Sequence, residues 1–395
     1  MTIVPWDFAT DFSRYRVIIR SFSLTPTLVQ LAIILIGMRN GHSIARAWHC
    51  LPRATQIALP LLSGFCMIPW FIGAEDPGRI PMAIIVFLVH VIFALLIFQL
   101  IAGFSNPQRK LLAKCIALGV IAYCIIWGVS LLFFVPVGPG WISQVPGLTH
   151  VRGLSFFVVC GFYMALASLP EMPTEKSNKR EYVIAYLGGF VSILLAFWSG
   201  SRGSIVAILG ALSILLWAAS SFRIAILKFS FLIFILGALA SLALPIPHPS
   251  YGIIRFTNVT SDITYLSSGR TTIWLETLPK ILDRPIFGWG LDQFQLIRFE
   301  SFQGFKQPHN IVLQSLISIG FVGSAILAVA ILPILRKARL QLDSLVRVSA
   351  LGMIATTCIL AMYDAALYYN YPLMMLAVAV ALAFAPDGLQ SAPDK

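Results

Sequence analysis

Charged side chains are scarce in this chain: Asp, Glu, Lys and Arg supply 11% of its 395 residues, against 58% hydrophobic ones, where soluble proteins carry about 25% charge. That shortage excludes a water-soluble enzyme or nucleic-acid binder, because apolar runs long enough to cross a bilayer recur along nearly the whole length. Acidic residues are the rarer sign, 16 against 28 basic ones, for a net charge of +12. In a membrane protein such an excess reports topology first, since Lys and Arg stay on the cytoplasmic side, and it does not by itself imply nucleic acid. The six cysteines form no Cys-x-x-Cys pair, so neither a disulfide framework nor a zinc site is suggested. His-x-x-x-His and His-Glu-x-x-His spacings are missing as well. So are Asp-x-Asp, Gly-x-x-x-x-Gly-Lys-Ser/Thr and Gly-x-Ser-x-Gly, which removes support for a Mg-nucleotide site, an ATP-driven motor and a standard serine hydrolase. The first residues, with Asp7 and Asp11 ahead of the first arginines, lack the pattern of a cleavable signal peptide.

What is abundant is the long apolar run. Ten of these predict spanning helices, near 55–74, 81–103, 115–135, 154–169, 182–199, 203–220, 226–244, 311–335, 348–366 and 371–386. A further run, Leu24 to Met38, has 15 residues and contains Pro26; it reads as a short span, half of a hairpin or an interfacial helix. The expected fold is all-α: a polytopic membrane helix bundle of about 10–12 transmembrane helices, one integral membrane domain over 1–395. Alternation places Arg39, Arg46 and Arg53, then Arg109, Lys110 and Lys114, then Lys176, Lys179 and Arg180, then Arg223 and Lys228, then Arg336, Lys337, Arg339 and Arg347 on one side, the cytoplasmic one. The longest external segment is 245–310. Within it Ile273, Trp274, Leu275, Leu278, Ile281 and Leu282 recur at helical spacing, predicting an amphipathic helix from Thr271 to Asp283, capped by Ser268 and ended by Arg284-Pro285. Such a helix lies on the outer membrane surface or against the bundle as a lid.

The external side should be poor in cations, yet Arg79, Arg152, Arg202, Arg255, Arg270, Lys280, Arg284, Arg298 and Lys306 all fall there. For any one of them the bland account is a guanidinium or ammonium snorkelling to headgroups. Two are more pointed. Arg202, in Gly200-Ser201-Arg202-Gly203-Ser204, sits in a turn so short that its charge stays at the mouth of the bundle between two buried helices. Arg270 opens the amphipathic helix, where free backbone N–H groups and the helix dipole add to an anion site. His309, in Gln307-Pro308-His309-Asn310 just before the run at Ile311, is a third candidate: an imidazole at a membrane boundary can act as general base, although a lone His there also serves as a cap. With no metal-binding pattern present, phosphate chemistry falls to arginines, whose planar forks bind phosphate oxygens bidentately and stabilise a departing diphosphate.

These blocks, read in order, carry a family resemblance. Ser201-Arg202-Gly203, Gly269-Arg270 with Ile273-Trp274, Pro285-Ile286-Phe287-Gly288-Trp289-Gly290, and His309-Asn310 with Gly320-Phe321-Val322-Gly323 resemble the O-antigen ligase and polymerase superfamily. The likeness is concentrated in 185–335. It implies a periplasm-facing glycosyltransferase of the bacterial inner membrane that moves a glycan from undecaprenyl pyrophosphate to an acceptor: a sugar of the lipid A core in ligases, another repeat unit in polymerases. It further implies that Arg202 and Arg270 hold the pyrophosphate and that His309 takes the proton from the acceptor hydroxyl or aligns it. Arg152-Gly153-Leu154-Ser155-Phe156 is similar to a family stretch but lacks its Pro-Asn, which leaves Arg152 a secondary donor contact.

The expected mechanism is metal-independent, cofactor-free displacement with inversion at the anomeric carbon, in an outward-facing cavity. Trp274, Trp289 and Phe294 offer flat faces for sugars, or belong to an interfacial belt; Asn310 joins the substrate-binding set, with Glu276, Asp283 and Asp292 as lesser helpers. The expected partners are the lipid-linked glycan, its acceptor and membrane lipids, with no nucleic acid. A secondary transporter or flippase would place its ionisable residues near mid-membrane. Here His90 is the main such case and reads as a hydrogen-bonded core residue, while Asp364 stands near the outer end of its span. A non-catalytic scaffold would tolerate Arg202 and Arg270 changed to Lys, whereas bidentate binding would not.

Overall fold

The computed structural model describes residues 24–133, 154–170, 179–244, 252–253, 269–301, 305–337, 341–364 and 366–386. Arg152, Arg255, Lys176, Arg339 and the expected cap Ser268 lie outside them. The described residues contain helices and no strand. Each of the ten expected runs is a helix, or in the first case a helix pair. The 55–74 run is α3 (Arg53–Cys66) and α4 (Ile68–Ile72), interrupted where Met67 precedes Pro69. Then follow α5 (Arg79–Ala102), α6 (Asn106–Phe133), α7 (Leu154–Ala167), α8 (Lys179–Trp198), α9 (Arg202–Ala218), α10 (Arg223–Ala243), α12 (Ile311–Lys337), α13 (Leu345–Ala361) and α14 (Asn370–Phe384). The run at Leu24 is α1 (Leu24–Arg39), bent by 97° against α2 (Ile44–Cys50). The expected amphipathic helix is α11 (Arg270–Asp283), preceded by Gly269 in left-handed backbone. Several of these helices are apolar and long enough to span, making this a multi-pass membrane protein.

The helix at the centre is α7. It is apolar all round and buried along almost its whole length, as a helix surrounded by others must be. It packs against α6, α8 and α13. Tyr163 fixes the arrangement: its hydroxyl accepts from Thr356 Oγ1 of α13 at 2.8 Å and donates to Ile208 O of α9 at 3.4 Å.

At the cation-rich end, two arginines expected only to report topology are buried instead. Arg109 donates to the carbonyls of Ala385, Pro386 and Ile101, and Arg347 also donates to that of Ala385. They satisfy carbonyls that the C-terminus of α14 leaves without helical partners, and place positive charge where the helix dipole favours it.

That clamp fixes the level of α13 and α14 at one end, and both are short. With 17 and 15 residues they reach about 22–26 Å, less than the about 30 Å of a hydrocarbon core, so they stop short at the opposite end. His90 gives the depth. It lies eleven residues into α5, about 16 Å from that helix's start, and its Nε2 is 3.2 Å from Asn370 Oδ1 at the first residue of α14. Gln30 meets the other ring nitrogen at 2.7 Å, and Asn370 Nδ2 donates to Thr27 Oγ1 at 2.7 Å. His90 is thus a hydrogen-bonded core residue, and the link between α13 and α14, described at 362–364 and 366–369, is recessed below the Arg79 end of α5.

One long helix is broken. In α12, Gly320 has φ 64° and ψ −174°, and the 285–290 loop inserts at the gap. Trp289 N donates to Ile317 O (2.8 Å), Gly290 N to Ser318 O (3.0 Å), and Phe321 N to Pro285 O (2.7 Å). The loop thereby supplies the partners that the interrupted helix lacks, as irregular backbone within a membrane requires. Contact is too close for side chains: a Cβ on Gly320 would lie 2.3 Å from Ile286 O, and one on Gly288 2.6 Å from Ser318 C.

Candidate functional site

Arg270 is the first residue of α11, and its guanidinium reaches Asp364 in the recessed link: Nη2 to Oδ2 is 3.3 Å. His309, from the segment before α12, meets the same carboxylate, with Nδ1 3.4 Å from Oδ1. The three side chains are only partly exposed, at 16%, 22% and 15% for Arg270, His309 and Asp364, so the charges interact through a poorly screened medium. Asp364 therefore joins two of the expected site residues, one on each oxygen.

His309 is held by unusual backbone and by its neighbours. Its φ of 54° is rare for a residue with a side chain. Trp274 Nε1 of α11 donates to Pro308 O at 2.8 Å. Asn310 caps α12, its Oδ1 accepting from the amides of Val312 and Leu313, while its Nδ2 donates to Met362 O at 2.8 Å. The start of α12 and the end of α13 are thereby tied together, which holds His309 against Asp364.

Arg202 opens α9. The next residue, Gly203, accepts a 2.6 Å hydrogen bond through its carbonyl from the hydroxyl of Tyr363, the neighbour of Asp364. Burial and Asp364 raise the Tyr369 phenol to about 12, opposed by its bond from Gln307. The α9 N-terminus thus abuts the Tyr363-Asp364 pair, to which Arg270 and His309 attach from α11 and the α12 approach.

Comparison with known families finds one match: residues 187–328 match the family described as O-antigen ligase. The match supports the O-antigen ligase superfamily. It takes in Arg202, Arg270, the 285–290 loop and His309, and ends within α12, short of Asp364. With it goes, in general terms, a glycosyltransferase of O-antigen ligase or polymerase type. None of the curated proteins compared matches the chain.

The remaining expected residues are placed as follows. Trp289 donates its Nε1 to Lys280 O at 2.8 Å and carries the Arg284 guanidinium over its ring at 4.2 Å; Arg284 also donates to Gly73 O. Phe294 is buried with Ile273, Ile281 and Phe299 beneath α11. Glu276 accepts from the amides of Glu300 and Ser301, and the bonds from Ser301, then Glu300, hold its carboxyl below the usual range. Asp292 accepts from Tyr368 at 2.7 Å and faces Arg79 at 3.7 Å; Asp283 pairs with Lys280 on the surface. Of the cations expected on the outer side, Arg79, Lys280 and Arg284 are thus engaged by neighbouring groups.

Asp364 was legible only as an acid near the outer end of a span. The signal available was electrostatic: a carboxylate at a boundary crowded with arginines implies a cation beside it. The expected apolar face of α11 divides, with Ile273 and Ile281 buried while Leu275 and Leu282 stand 69% exposed.

Proposed function

We propose that this protein transfers a glycan from undecaprenyl pyrophosphate to an acceptor sugar on the periplasmic side of the bacterial inner membrane, and that the acceptor is the lipid A core. The observation that carries the reading is the sharing of Asp364 by Arg270 and His309 beside the α9 N-terminus. In this reading Asp364 holds the Nδ1 side of His309 and leaves Nε2 toward the acceptor, the arrangement by which a carboxylate orients a general base and stabilises the imidazolium that forms. The acceptor hydroxyl gives its proton to Nε2 as its oxygen attacks the anomeric carbon. The bond from that carbon to the diphosphate oxygen breaks on the opposite face, giving inversion. The leaving diphosphate keeps the electron pair, and its charge is met by Arg270 and Arg202; Arg152 contributes secondarily. The donor already holds the energy, so the protein orients two lipid-borne substrates and stabilises charge. Trp274 and Asn310 act by fixing the His309 segment, and Trp289 by fixing the turn after α11.

The test is transfer by purified protein with a polyprenyl-diphosphate glycan and a core acceptor in EDTA. His309→Ala and Arg270→Ala are each expected to cut transfer at least about a hundredfold, to a small residual rate, while expression persists; unchanged turnover in both overturns the site. Deleting the gene is expected to leave lipopolysaccharide core without polymer. Core bearing a single repeat would reassign the protein as a polymerase, and a normal ladder would count against both.

A further inference from the structure

On the outer surface of the bundle, away from the site, a groove of about 480 Å³ runs between α3 and α12. Its walls are Ala54, Ile57 and Leu61 on one side and Phe321, Ala325 and Val329 on the other. The two helices are antiparallel and held close on their inner line, where Thr55 Oγ1 donates to Ala330 O at 2.8 Å. On the outer line the alanines leave a trough between larger side chains. Its volume falls within the about 300–1,000 Å³ of ligand sites.

Both walls run on to cations at the same end. On α3, Arg53 stands one turn before Ile57; on α12, Arg336 lies eleven residues, about three turns, beyond Ala325, and Lys337 follows it. All three are exposed, and among the described residues no hydrogen bond or ion pair involves them. A trough that accepts one hydrocarbon chain and ends at three unpaired cations is complementary to a lipid with an anionic head.

We propose that this groove binds an anionic phospholipid of the leaflet at the cation-rich end, one acyl chain in the trough and its phosphate against Arg53, Arg336 and Lys337. The chain's far end meets Phe321, whose amide is held by Pro285 at the break in α12, so the bound lipid braces that break from outside.

Native mass spectrometry of the full chain in mild detergent tests this, with phosphatidylglycerol or phosphatidylcholine added at equal concentration. The expected result is a phosphatidylglycerol adduct that persists where phosphatidylcholine is lost. The double variant Ala54→Trp/Ala325→Trp, which fills the trough from two exposed positions, is expected to lower retention at least tenfold. Arg53→Gln/Arg336→Gln/Lys337→Gln, which leaves the packing untouched, is expected to abolish the preference between the lipids. Equal retention of both lipids by the unaltered protein overturns the proposal. So does full retention by the Trp variant, which would put the lipid on the cations alone.

Discussion

Replacing Asp364 by Asn removes one charge and almost no volume, and so isolates what the carboxylate does for His309. In the proposed mechanism an imidazolium forms as the acceptor proton is taken, with its Nδ1 3.4 Å from the carboxylate. Coulomb attraction at that distance is about 1 kcal/mol in bulk water and about 5 kcal/mol at the effective dielectric of a protein surface. With side chains 22% and 15% exposed, the value falls between these limits, and Arg270 on the second oxygen draws it downward. Asp364→Asn is therefore expected to lower kcat by about tenfold to a thousandfold, at about 1.4 kcal/mol per decade, and KM for the acceptor far less. The assay is initial-rate transfer in detergent at several pH values. The double variant Asp364→Asn/His309→Ala separates this role from simple structural damage: once the base is gone its orienting group has little left to orient, so the double is expected to be scarcely slower than His309→Ala alone. An Asp364→Asn enzyme within twofold of wild type, or a double variant whose losses multiply, would refute the reasoning.

Arg202→Lys and Arg270→Lys each keep the charge but lose the bidentate fork, and each is expected to lose at least about tenfold in transfer; full activity would favour a non-catalytic scaffold. Gly320→Ala forces a side chain to 2.3 Å from Ile286 O at φ 64°, adding about 1–3 kcal/mol of backbone strain and a comparable overpacking cost, seen as a lowered melting temperature in detergent. The Glu276 carboxyl lies below its ordinary value, so its tie to the 300–301 amides is fully present above about pH 4.5 and is lost as pH falls through the depressed value. Amide exchange at Glu300 and Ser301 measured across that window should then accelerate relative to the α7 core. Trp274→Phe keeps a flat ring but loses the bond to Pro308 O; slowed transfer that Phe fails to rescue marks a positioning role rather than a sugar platform.

The spans were legible because hydropathy is a sum over about 20 residues and survives local error. Local exceptions were not: the 97° turn after α1, the pause at Met67 and the break at Gly320 depend on what packs against each backbone. Glycines in Gly288-Trp289-Gly290 and at Gly320 are visible in the sequence, but their pairing across the chain is a tertiary fact. The site divides in the same way. Arg270 and His309 stood out because charge at a membrane boundary needs a reason, whereas Asp364 stood alone in its segment and gained meaning only from two partners 55 and 94 positions away. Trp274 and Trp289 were expected from their type as sugar faces or as interfacial belt residues. Their indole N–H groups are engaged with backbone carbonyls, a use that residue type does not reveal.

The short helices and the broken one serve the proposed chemistry together. Because α13 and α14 are anchored at the cation-rich end and are short, the link bearing Tyr363 and Asp364 lies, in the proposed reading, below the membrane boundary rather than above it. A diphosphate headgroup drawn to that level leaves bulk water, and each guanidinium bond to it gains strength as the dielectric falls. Irregular backbone at such a depth is tolerated only with its polar groups met by protein. The site's surroundings meet that condition through the loop at Gly320, the Asn310 cap and the Tyr363 bond to Gly203. Loosening any of these would admit water to the recess before it moved an arginine, so transfer should fall more steeply than global stability in variants of the tie residues. Asn310→Ala is the sharpest case: it frees the ends of α12 and α13 from each other, and a loss of melting temperature without a larger proportional loss of transfer would count against the recess as the source of rate.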